Sequence, residues 1–256
     1  MRLLNKVVVV TGAASGIGKT MAIEFAKEGA YVAVNDVSKD GEATVEDIVK
    51  IGGKAVFCQA DVRYETQVKE MMDLVNQSFG KIDVLINNAG VSIRKNILEA
   101  GEEEWTKTMD TNLKGAWLCC KYAIPLMIEN GGGSIINIAS THSFRTQPNH
   151  FPYQSAKAGM IALTNGICVD FGLKGIRANN ISPGFIVTPL ASDYLNEFPN
   201  RDEKIKKIRS SQLTERLGTP EDVAKAAIFL ASDDAHFIYG ANLIVDGGRS
   251  IYQRTD

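Results

Sequence analysis

The stretch "VVVVTGAASGIG", residues 7–18, decides the fold class of this chain. Its valines form a continuous β-branched run, which is typical of a strand buried on both faces of a parallel sheet. The run ends at Gly12, and the segment that begins at Ile17 has the apolar periodicity of a helix. A glycine-rich turn in this place allows the backbone to approach a phosphate at the helix N-terminus. The spacing of Gly12, Gly16 and Gly18 is not G-x-G-x-x-G, so the stretch indicates a nucleotide site only together with its surroundings.

Strand-like and helix-like segments alternate along the rest of the chain. Such alternation predicts parallel strands that are joined by right-handed crossovers, with helices on both faces of one sheet. We therefore expect an α/β fold: a single Rossmann-type doubly wound domain with a seven-stranded parallel sheet, spanning residues 1–256. The six further strand-like runs are "AYVAVND", "KAVFCQAD", "IDVLINNAG", "SIINIAS", "IRANNISPG" and "NLIVDGG".

One long polar segment interrupts the alternation at about residues 185–218. Loops of this length are usually functional lids or disordered segments. Leu190, Tyr194, Leu195 and Phe198 fall at helical spacing and predict an apolar underside. We interpret the segment as a substrate lid that is mobile without ligand; the alternative is a permanently folded pair of surface helices.

The composition excludes several classes of protein. Hydrophobic residues make up 45% and charged residues 23%, as in ordinary globular proteins. The net charge of −2 gives no reason to expect nucleic acid or an anionic membrane as a partner. No apolar run approaches the ~20 residues of a membrane span, and the N-terminus lacks the cleavage site of a signal peptide. We expect a soluble, cytoplasmic protein that acts on a small molecule.

The cysteines and histidines do not predict a metal site. The four cysteines form no C-x-x-C pair, and the three histidines show no ligand spacing with them. Cys119 and Cys120 are adjacent within an apolar run and are expected to be buried hydrophobic residues.

Asp36 ends the second strand, about 20 positions after the glycine-rich turn. A carboxylate there accepts hydrogen bonds from both adenosine ribose hydroxyls and repels a 2′-phosphate. Position 37 is a valine, and Lys39 is the nearest basic candidate for holding a 2′-phosphate. The pattern favours NAD over NADP, and the alternative is an aspartate that only caps the strand.

Tyr153 and Lys157 stand one helical turn apart in "YQSAKAG". A nearby cation favours the phenolate and lowers the pKa of a tyrosine from about 10. A phenol tuned in this way exchanges protons near neutral pH. The pair alone is equally compatible with a solvated helix, so its meaning depends on the other motifs.

Taken together and in order, the motifs resemble those of the short-chain dehydrogenase/reductase family over essentially the whole chain. Residues 11–18 resemble its cofactor loop, residues 61–62 its adenine contact, residues 87–90 the motif that closes its fourth strand, and residues 183–188 the segment that meets the nicotinamide carboxamide. The resemblance implies that the cofactor is contacted by Gly12, Ser15, Gly16, Ile17, Gly18, Asp36, Asp61, Val62, Asn88, Ala89, Gly90, Tyr153, Lys157, Pro183, Gly184, Ile186 and Thr188.

The same resemblance implies a catalytic tetrad of Asn112, Ser140, Tyr153 and Lys157. Tyr153 would exchange a proton with the substrate oxygen while hydride moves to or from nicotinamide. Lys157 would lower the pKa of Tyr153 and hold the nicotinamide ribose. Ser140 would hydrogen-bond the same substrate oxygen. Asn112, inside a long helix over about 102–129 that is continuous or in two pieces, would hold a water that links Lys157 to solvent. The implied activity is that of an NAD-dependent enzyme acting on CH–OH groups.

Substrate specificity is expected in "THSFRTQPNHFP", residues 141–152, and in the lid. His142 and Pro148 follow Ser140 as in the bacterial glucose 1-dehydrogenases, which the chain resembles among NAD-dependent sugar dehydrogenases. Arg94 and Arg145 are candidates for binding the carboxylate of a sugar acid, and a surface role for both is the alternative. The substrate candidates are Ser140, His142, Gln147, His150 and Tyr153.

Three functions are compatible with these residues. The leading one is hydride transfer between nicotinamide and the secondary alcohol or carbonyl of a sugar, polyol or sugar acid. Asp36 and the charge of −2 argue against a 3-oxoacyl-[acyl-carrier-protein] reductase, and the intact tetrad argues against a non-catalytic NAD-binding regulator. The resemblance also implies a homotetramer, in which long helices and C-terminal strands pair across two-fold axes.

Overall fold

The computed structural model of the chain describes residues 1–214 and 216–252. Seven of its strands form one sheet, in the order β3-β2-β1-β4-β6-β8-β9, and the short strands β5 and β7 form an antiparallel pair. The strands are β1 (Val7–Thr11), β2 (Tyr31–Asp36), β3 (Lys54–Gln59), β4 (Val84–Asn87), β5 (Arg94–Lys95), β6 (Gly133–Ile138), β7 (Phe151–Pro152), β8 (Ile176–Pro183) and β9 (Asn242–Val245).

Strand β1 lies at the centre of the sheet. Val8 pairs with Val32 of β2 on one side and with Val84 of β4 on the other, and all six pairings of the seven-stranded sheet are parallel. Alternate side chains of a strand point to opposite faces, and Val8 and Val9 accordingly enter two different hydrophobic clusters. The predicted α/β class and the seven-stranded parallel sheet are confirmed.

Helices cover both faces of the sheet. Phe25 of α1 and Ala227 of α9 pack on one face, while Val75 of α3 and Met127 of α5 pack on the other. Within the described residues, no helix has the length and apolar character needed to cross a membrane. The helices are α1 (Gly16–Lys27), α2 (Gly41–Lys50), α3 (Glu65–Phe79), α4 (Glu102–Met109), α5 (Gly115–Glu129), α6 (Tyr153–Phe171), α7 (Pro189–Asn196), α8 (Arg201–Ser210) and α9 (Pro220–Ala231).

The long helix expected over about 102–129 is interrupted. Helices α4 and α5 are joined by a π-helical segment, Asp110–Lys114, which contains Asn112. Single π-helical turns within α-helices occur frequently at functional sites, because the extra residue shifts the side chains that follow it.

The segment at 185–218 is more regular than a loop, since it contains α7 and α8. The hydroxyl of Thr188 accepts a hydrogen bond from the backbone N–H of Ala191 at 3.2 Å and caps α7, which begins at Pro189. The side chain of Asn200 caps α8 in the same way through the N–H of Glu203 at 3.1 Å. These caps satisfy helix N–H groups that have no partner within the helix.

Candidate active site

The turn after β1 is tight and leaves no room for side chains. Gly12 has a φ of +64°, and a Cβ there would lie 2.8 Å from the Cα of Ala89. A Cβ on Gly18 would lie 2.1 Å from the carbonyl oxygen of Gly12. The backbone of the turn and the N-terminus of α1 are therefore open to a ligand, as residues 7–18 predict.

The motif after β4 is fastened to this turn. The hydroxyl of Thr11 accepts hydrogen bonds from the N–H groups of Asn88 and Ala89, both at 3.0 Å. The side-chain amide of Asn88 donates to the carbonyl oxygens of Thr11 and Gly12 at 2.9 and 3.0 Å. These contacts join β1 and β4 at the point where strand order reverses, which is where open parallel sheets bind ligands.

Asp36 lies beside the glycine-rich turn, at the carboxyl end of β2. One carboxylate oxygen accepts a hydrogen bond from the N–H of Ala14 and the other from the N–H of Ser38, each at 3.0 Å. A carboxylate oxygen accepts about two hydrogen bonds, so each oxygen of Asp36 keeps capacity for a ligand hydroxyl.

A cavity of about 550 Å³ opens at the carboxyl ends of the central strands. It brings together most of the residues predicted from the sequence, although they come from distant parts of the chain. Those that line it are Gly12, Ser15, Gly16, Ile17, Asn88, Ala89, Gly90, Ser140, His142, Gln147, His150, Tyr153, Lys157, Pro183, Gly184, Ile186 and Thr188.

Five predicted residues are not among the described residues that line the cavity: Gly18, Asp36, Asp61, Val62 and Asn112. Gly18 lies beneath the turn, against Gly12. Asp61 accepts three hydrogen bonds from the guanidinium of Arg63, and Val62 is buried. The structure therefore leaves the adenine contacts expected of Asp61 and Val62 as predictions.

Tyr153 and Lys157 lie at the start of α6, where Lys157 is buried and Tyr153 is half-buried. The Lys157 ammonium donates to the carbonyl oxygen of Ile138 at 2.6 Å and lies 5.8 Å from the centre of the Tyr153 ring. Burial lowers the pKa of Lys157 to about 8, because a buried ammonium loses its hydration.

The expected lowering of the Tyr153 pKa is corrected by the structure. Burial raises the pKa of Tyr153 above its ordinary value, and a hydrogen bond with the Ser140 hydroxyl opposes this effect only in part. The ammonium of Lys157 is directed to the Ile138 carbonyl instead of the phenol. Ser140 is thus the residue that favours the phenolate in this structure.

Asn112 is fully buried in the π-helical segment. Its side-chain oxygen accepts from the N–H of Val91 at 2.7 Å, and its amide donates to the carbonyl of Val91 at 2.9 Å. A Cβ on Gly90 would lie 3.0 Å from that oxygen and 3.6 Å from the Lys157 nitrogen. Asn112 therefore positions the chain after β4 close to Lys157, and a water held by Asn112 stays a prediction.

Two histidines stack on each other next to Tyr153. The rings of His142 and His150 lie 4.2 Å apart at 7°, and the His142 ring meets the Tyr153 ring edge-on at 5.9 Å. His150 Nδ1 lies 3.0 Å from the carbonyl of Pro148, so it carries the proton, and Nε2 accepts from the Gln147 amide at 3.3 Å. Burial lowers the pKa of His142 to about 4 and also lowers that of His150, which keeps both rings neutral near pH 7.

Sequence reasoning missed Arg249, which lines the same cavity. Arg94 also lines it and pairs with Glu197, whereas Arg145 donates to the backbone carbonyl of Arg249. The signal for Arg249 was "VDGGRS", a glycine turn at the carboxyl end of the last strand, where such sheets bind ligands.

Known proteins match both the sequence and this geometry. A family model described as Enoyl-(Acyl carrier protein) reductase matches residues 12–250. The chain belongs to the short-chain dehydrogenase/reductase family. It is an oxidoreductase that acts on CH–OH groups.

Two curated relatives cover almost all of the chain. The chain is 37% identical over 253 residues to the (2S)-[(R)-hydroxy(phenyl)methyl]succinyl-CoA dehydrogenase subunit BbsD of Thauera aromatica, covering 98% of this chain and 99% of the relative. It is 36% identical over 250 residues to the 3-oxoacyl-[acyl-carrier-protein] reductase FabG of Thermotoga maritima, covering 97% and 99% of the two chains.

Solved structures are also similar to this chain in sequence and in fold. A 7α-hydroxysteroid dehydrogenase complexed with NADH and 7-oxo glycochenodeoxycholic acid has a TM-score of 0.90 and 35% identity, covering 96% of this chain and 95% of that one. Levodione reductase has a TM-score of 0.94 and 31% identity, covering 98% and 100% of the two chains.

Proposed function

We propose that this chain transfers hydride between NAD and the secondary alcohol or carbonyl of a sugar, polyol or sugar acid. The observation that carries the proposal is the meeting of Tyr153, Ser140 and Lys157 in one cavity with the glycine-rich turn. The NADH in the similar hydroxysteroid dehydrogenase structure supports the choice of a nicotinamide cofactor.

The roles of the chain's own residues follow from their positions. When bound, nicotinamide accepts hydride from the alcohol carbon or returns it to the carbonyl. In the direction of reduction, the Tyr153 phenol gives its proton to the carbonyl oxygen, and in the direction of oxidation its phenolate form takes up the hydroxyl proton. The Ser140 hydroxyl donates a hydrogen bond to the same substrate oxygen. Lys157 supplies positive charge beside the phenol, so that the charge developing on Tyr153 during proton transfer is stabilised.

The surroundings of Asp36 support NAD instead of NADP. A 2′-phosphate beside the Asp36 carboxylate would meet a like charge, and a cation would be needed to hold it. Arg63, close to the end of the neighbouring strand β3, is committed to Asp61 at 2.6 Å. Lys19 on α1 is similarly committed to Asp47 at 2.8 Å.

The substrate end of the cavity supports a polar substrate. His142, His150 and Gln147 present neutral hydrogen-bonding groups next to Tyr153. A substrate rich in hydroxyl groups can add hydrogen bonds to such side chains, which an apolar substrate cannot do.

A panel of aldoses, polyols and sugar acids, offered with NAD and followed by the absorbance of reduced nicotinamide, tests the proposal. We expect turnover with at least one member and none in Tyr153→Phe. Turnover with NADP but not NAD, or with none of the panel, would contradict the proposal.

Replacing Asp36 with alanine should weaken discrimination between the two cofactors. Losing hydrogen bonds to a charged group lowers kcat/KM with NAD about tenfold or more, and loss of repulsion improves NADP. Asp40→Ala is a matched control, because Asp40 lies in the same loop and bonds to Ser38 instead of the glycine-rich turn. Unchanged cofactor preference in Asp36→Ala would count against the assignment.

Reduction of the 3-oxo group of an acyl thioester is the second candidate. It is favoured by the identity to the acyl-carrier-protein reductase of Thermotoga maritima. Oxidation of NADPH by acetoacetyl-CoA, faster than any turnover in the sugar panel, would favour this candidate over the first.

A further inference from the structure

Arg249 lies just after the carboxyl end of β9, in a turn that is held by hydrogen bonds. The carboxylate of Asp246, itself 8% exposed, accepts hydrogen bonds from the N–H groups of Gly248 at 2.9 Å and Ser250 at 2.7 Å. Gly247 and Gly248 have φ values of +63° and +81°, which favour glycine. The turn therefore has a defined shape that does not depend on the side chain of Arg249.

This turn is joined to two walls of the cavity. A Cβ on Gly184 would lie 2.6 Å from the Cβ of Asp246, so the turn is packed directly against the segment after β8. On the other side, the guanidinium of Arg145 donates to the carbonyl oxygen of Arg249 and fastens the loop that follows Ser140. The backbone of Arg249 is thus fixed relative to Ser140.

The guanidinium of Arg249 differs from the other arginines near it. Arg94 pairs with Glu197, Arg63 with Asp61 and Arg216 with Asp222, whereas within residues 1–214 and 216–252 no hydrogen bond or ion pair is formed by the side chain of Arg249. It is half-buried, and burial lowers its pKa. A partly desolvated guanidinium with five donors is satisfied best by an anion.

The charged side chains among the described residues that line the cavity are all positive. Arg94, Lys157, Lys204, Lys207 and Arg249 line it, and no aspartate or glutamate is found among its described lining residues. The positive charge of Arg249 contributes to lowering the pKa of both His142 and His150. Arg249 therefore lies near the two histidines, beside the loop that carries His142 and Arg145.

We propose that Arg249 binds the carboxylate of an anionic hydroxy acid, such as a sugar acid, whose secondary alcohol meets Tyr153 and Ser140. The inference rests on the proposed function and narrows its substrate class. A guanidinium binds a carboxylate through two parallel hydrogen bonds, which fix both the position and the orientation of the substrate. Arg249 is thus a specificity-determining residue, and the cation Lys204, which also lines the cavity, adds long-range attraction for the anion.

Kinetics on matched pairs of substrates test the assignment. Wild type, Arg249→Gln and Arg249→Lys are compared on gluconate against glucitol, and on 3-hydroxybutyrate against 3-hydroxybutyramide, with saturating NAD. For the acids, we expect Arg249→Gln to raise KM about 10- to 100-fold and Arg249→Lys to recover part of the loss. The neutral partners should be unaffected. Arg209→Gln is the matched control, because Arg209 is exposed and does not line the cavity.

A binding measurement separates this inference from the proposed function. The shift in melting temperature that gluconate or 3-hydroxybutyrate adds to the NADH complex does not require turnover. Loss of that shift in Arg249→Gln supports the inference even where no alcohol is oxidised, an outcome that would contradict only the proposed function.

Three outcomes would overturn the inference. One is equal loss for acids and their neutral partners, and another is weaker NADH binding in Arg249→Gln, which would place the guanidinium on the cofactor. The third concerns the thioester acetoacetyl-CoA compared with its N-acetylcysteamine analogue, which lacks the phosphates of CoA. A selective loss for the CoA ester would assign Arg249 to a phosphate.

Discussion

The pKa values of Tyr153 and His142 are shifted by the same cause, which is burial at the carboxyl end of the sheet. Burial raises the pKa of the Tyr153 phenol and lowers that of the His142 imidazole, so both stay neutral near pH 7. Ser140 contacts both: its hydroxyl bonds to Tyr153 and accepts from the N–H of His142 at 3.1 Å. A neutral surrounding of this kind strengthens any hydrogen bond to charge that develops on the substrate oxygen.

Replacing Tyr153 with phenylalanine should lower kcat by about 10²–10⁴-fold, because it removes the oxygen that exchanges the proton. NAD binding should persist, since the ring and Lys157 remain. Stopped-flow and steady-state rates with NAD measure the first effect, and quenching of protein fluorescence by NADH measures the second. Tyr64→Phe, at an exposed position, is the control; a wild-type rate in Tyr153→Phe would refute the role.

Stability should fall as the pH drops from about 6.5 to about 4. Burial holds the pKa of His142 at about 4, so between these values the unfolded chain binds a proton that the folded chain does not. The neutral His142 ring lowers the free energy of unfolding by nothing above the unfolded pKa. Between the two pKa values this free energy falls by at most about 3 kcal/mol in all. Urea unfolding across this range should show a flatter dependence in His142→Asn than in wild type. The exposed His236, replaced in the same way, should leave the curve unchanged, and equal curves for wild type and His142→Asn would contradict the prediction.

At the scale of elements, the sequence predicted segments in which apolar residues recur with a regular period. It missed segments that lack this periodicity. Helix α6 begins and ends where expected, at Tyr153 and Phe171, because apolar residues recur on one face between the turn signals. The helix over about 102–129 is in two pieces, as the sequence allowed, but the π-helical segment at Asp110–Lys114 has no composition of its own, so the sequence did not mark where the break falls. Helix α8, "RDEKIKKIRS", buries only Ile208, and a helix without an apolar face gives no periodic signal.

The spacing of Tyr153 and Lys157, together with the family resemblance of the other motifs, predicted them as catalytic residues, whereas none of these signals singled out Arg249. Tyr153 and Lys157 lie one turn apart, so their proximity is a local property of the chain. Arg249 is 96 positions from Tyr153 in the sequence, and only the pairing of β9 with β8 brings it to the cavity. Arg145 was a candidate for binding a substrate carboxylate because the sequence shows its charge. The sequence does not show that its guanidinium donates to a backbone carbonyl.

The predicted lid, residues 185–218, should become more protected from hydrogen exchange when ligands bind. A Cβ on Gly16 would lie 3.4 Å from the Thr188 side chain, so α7 starts next to the glycine-rich turn. Leu190 and Tyr194 of α7 and Lys204 of α8 line the cavity. We expect protection across 190–213 to rise with NAD and again with substrate, while α3 stays unchanged. Identical protection with and without ligands would favour a permanently folded helix pair.

At the scale of the whole molecule, large apolar side chains are exposed on α5, on α6 and after β9, the elements through which the family resemblance implies pairing. Trp117 on α5 is 46% exposed, Val169 on α6 is 82% exposed and Ile251 after β9 is 82% exposed. Residues 253–256 of the expected C-terminal tail lie outside the described residues. Pairing of subunits through these elements would remove the exposed apolar groups from water.

We therefore expect a homotetramer with two-fold axes. Sedimentation velocity at micromolar concentration should give about four times the 27.8 kDa of the monomer. Val169→Glu should shift the distribution to smaller species, since a buried charge without a partner opposes association. Val49→Glu, at an exposed position of α2, should leave it unchanged. A 27.8 kDa species for the wild type would exclude the tetramer at that concentration.

The central place of β1 has a consequence for synthesis of the chain. Val7–Thr11 is the first strand to leave the ribosome, yet its second neighbour, Val84–Asn87, emerges roughly 70 residues later, after several seconds at about 5–20 residues per second. During that time a run of four valines presents an unpaired edge, which is the kind of surface that seeds aggregation. Nascent chains of this protein should accordingly need a chaperone, or a low growth temperature, to avoid aggregation, chiefly before Asn87 has been added.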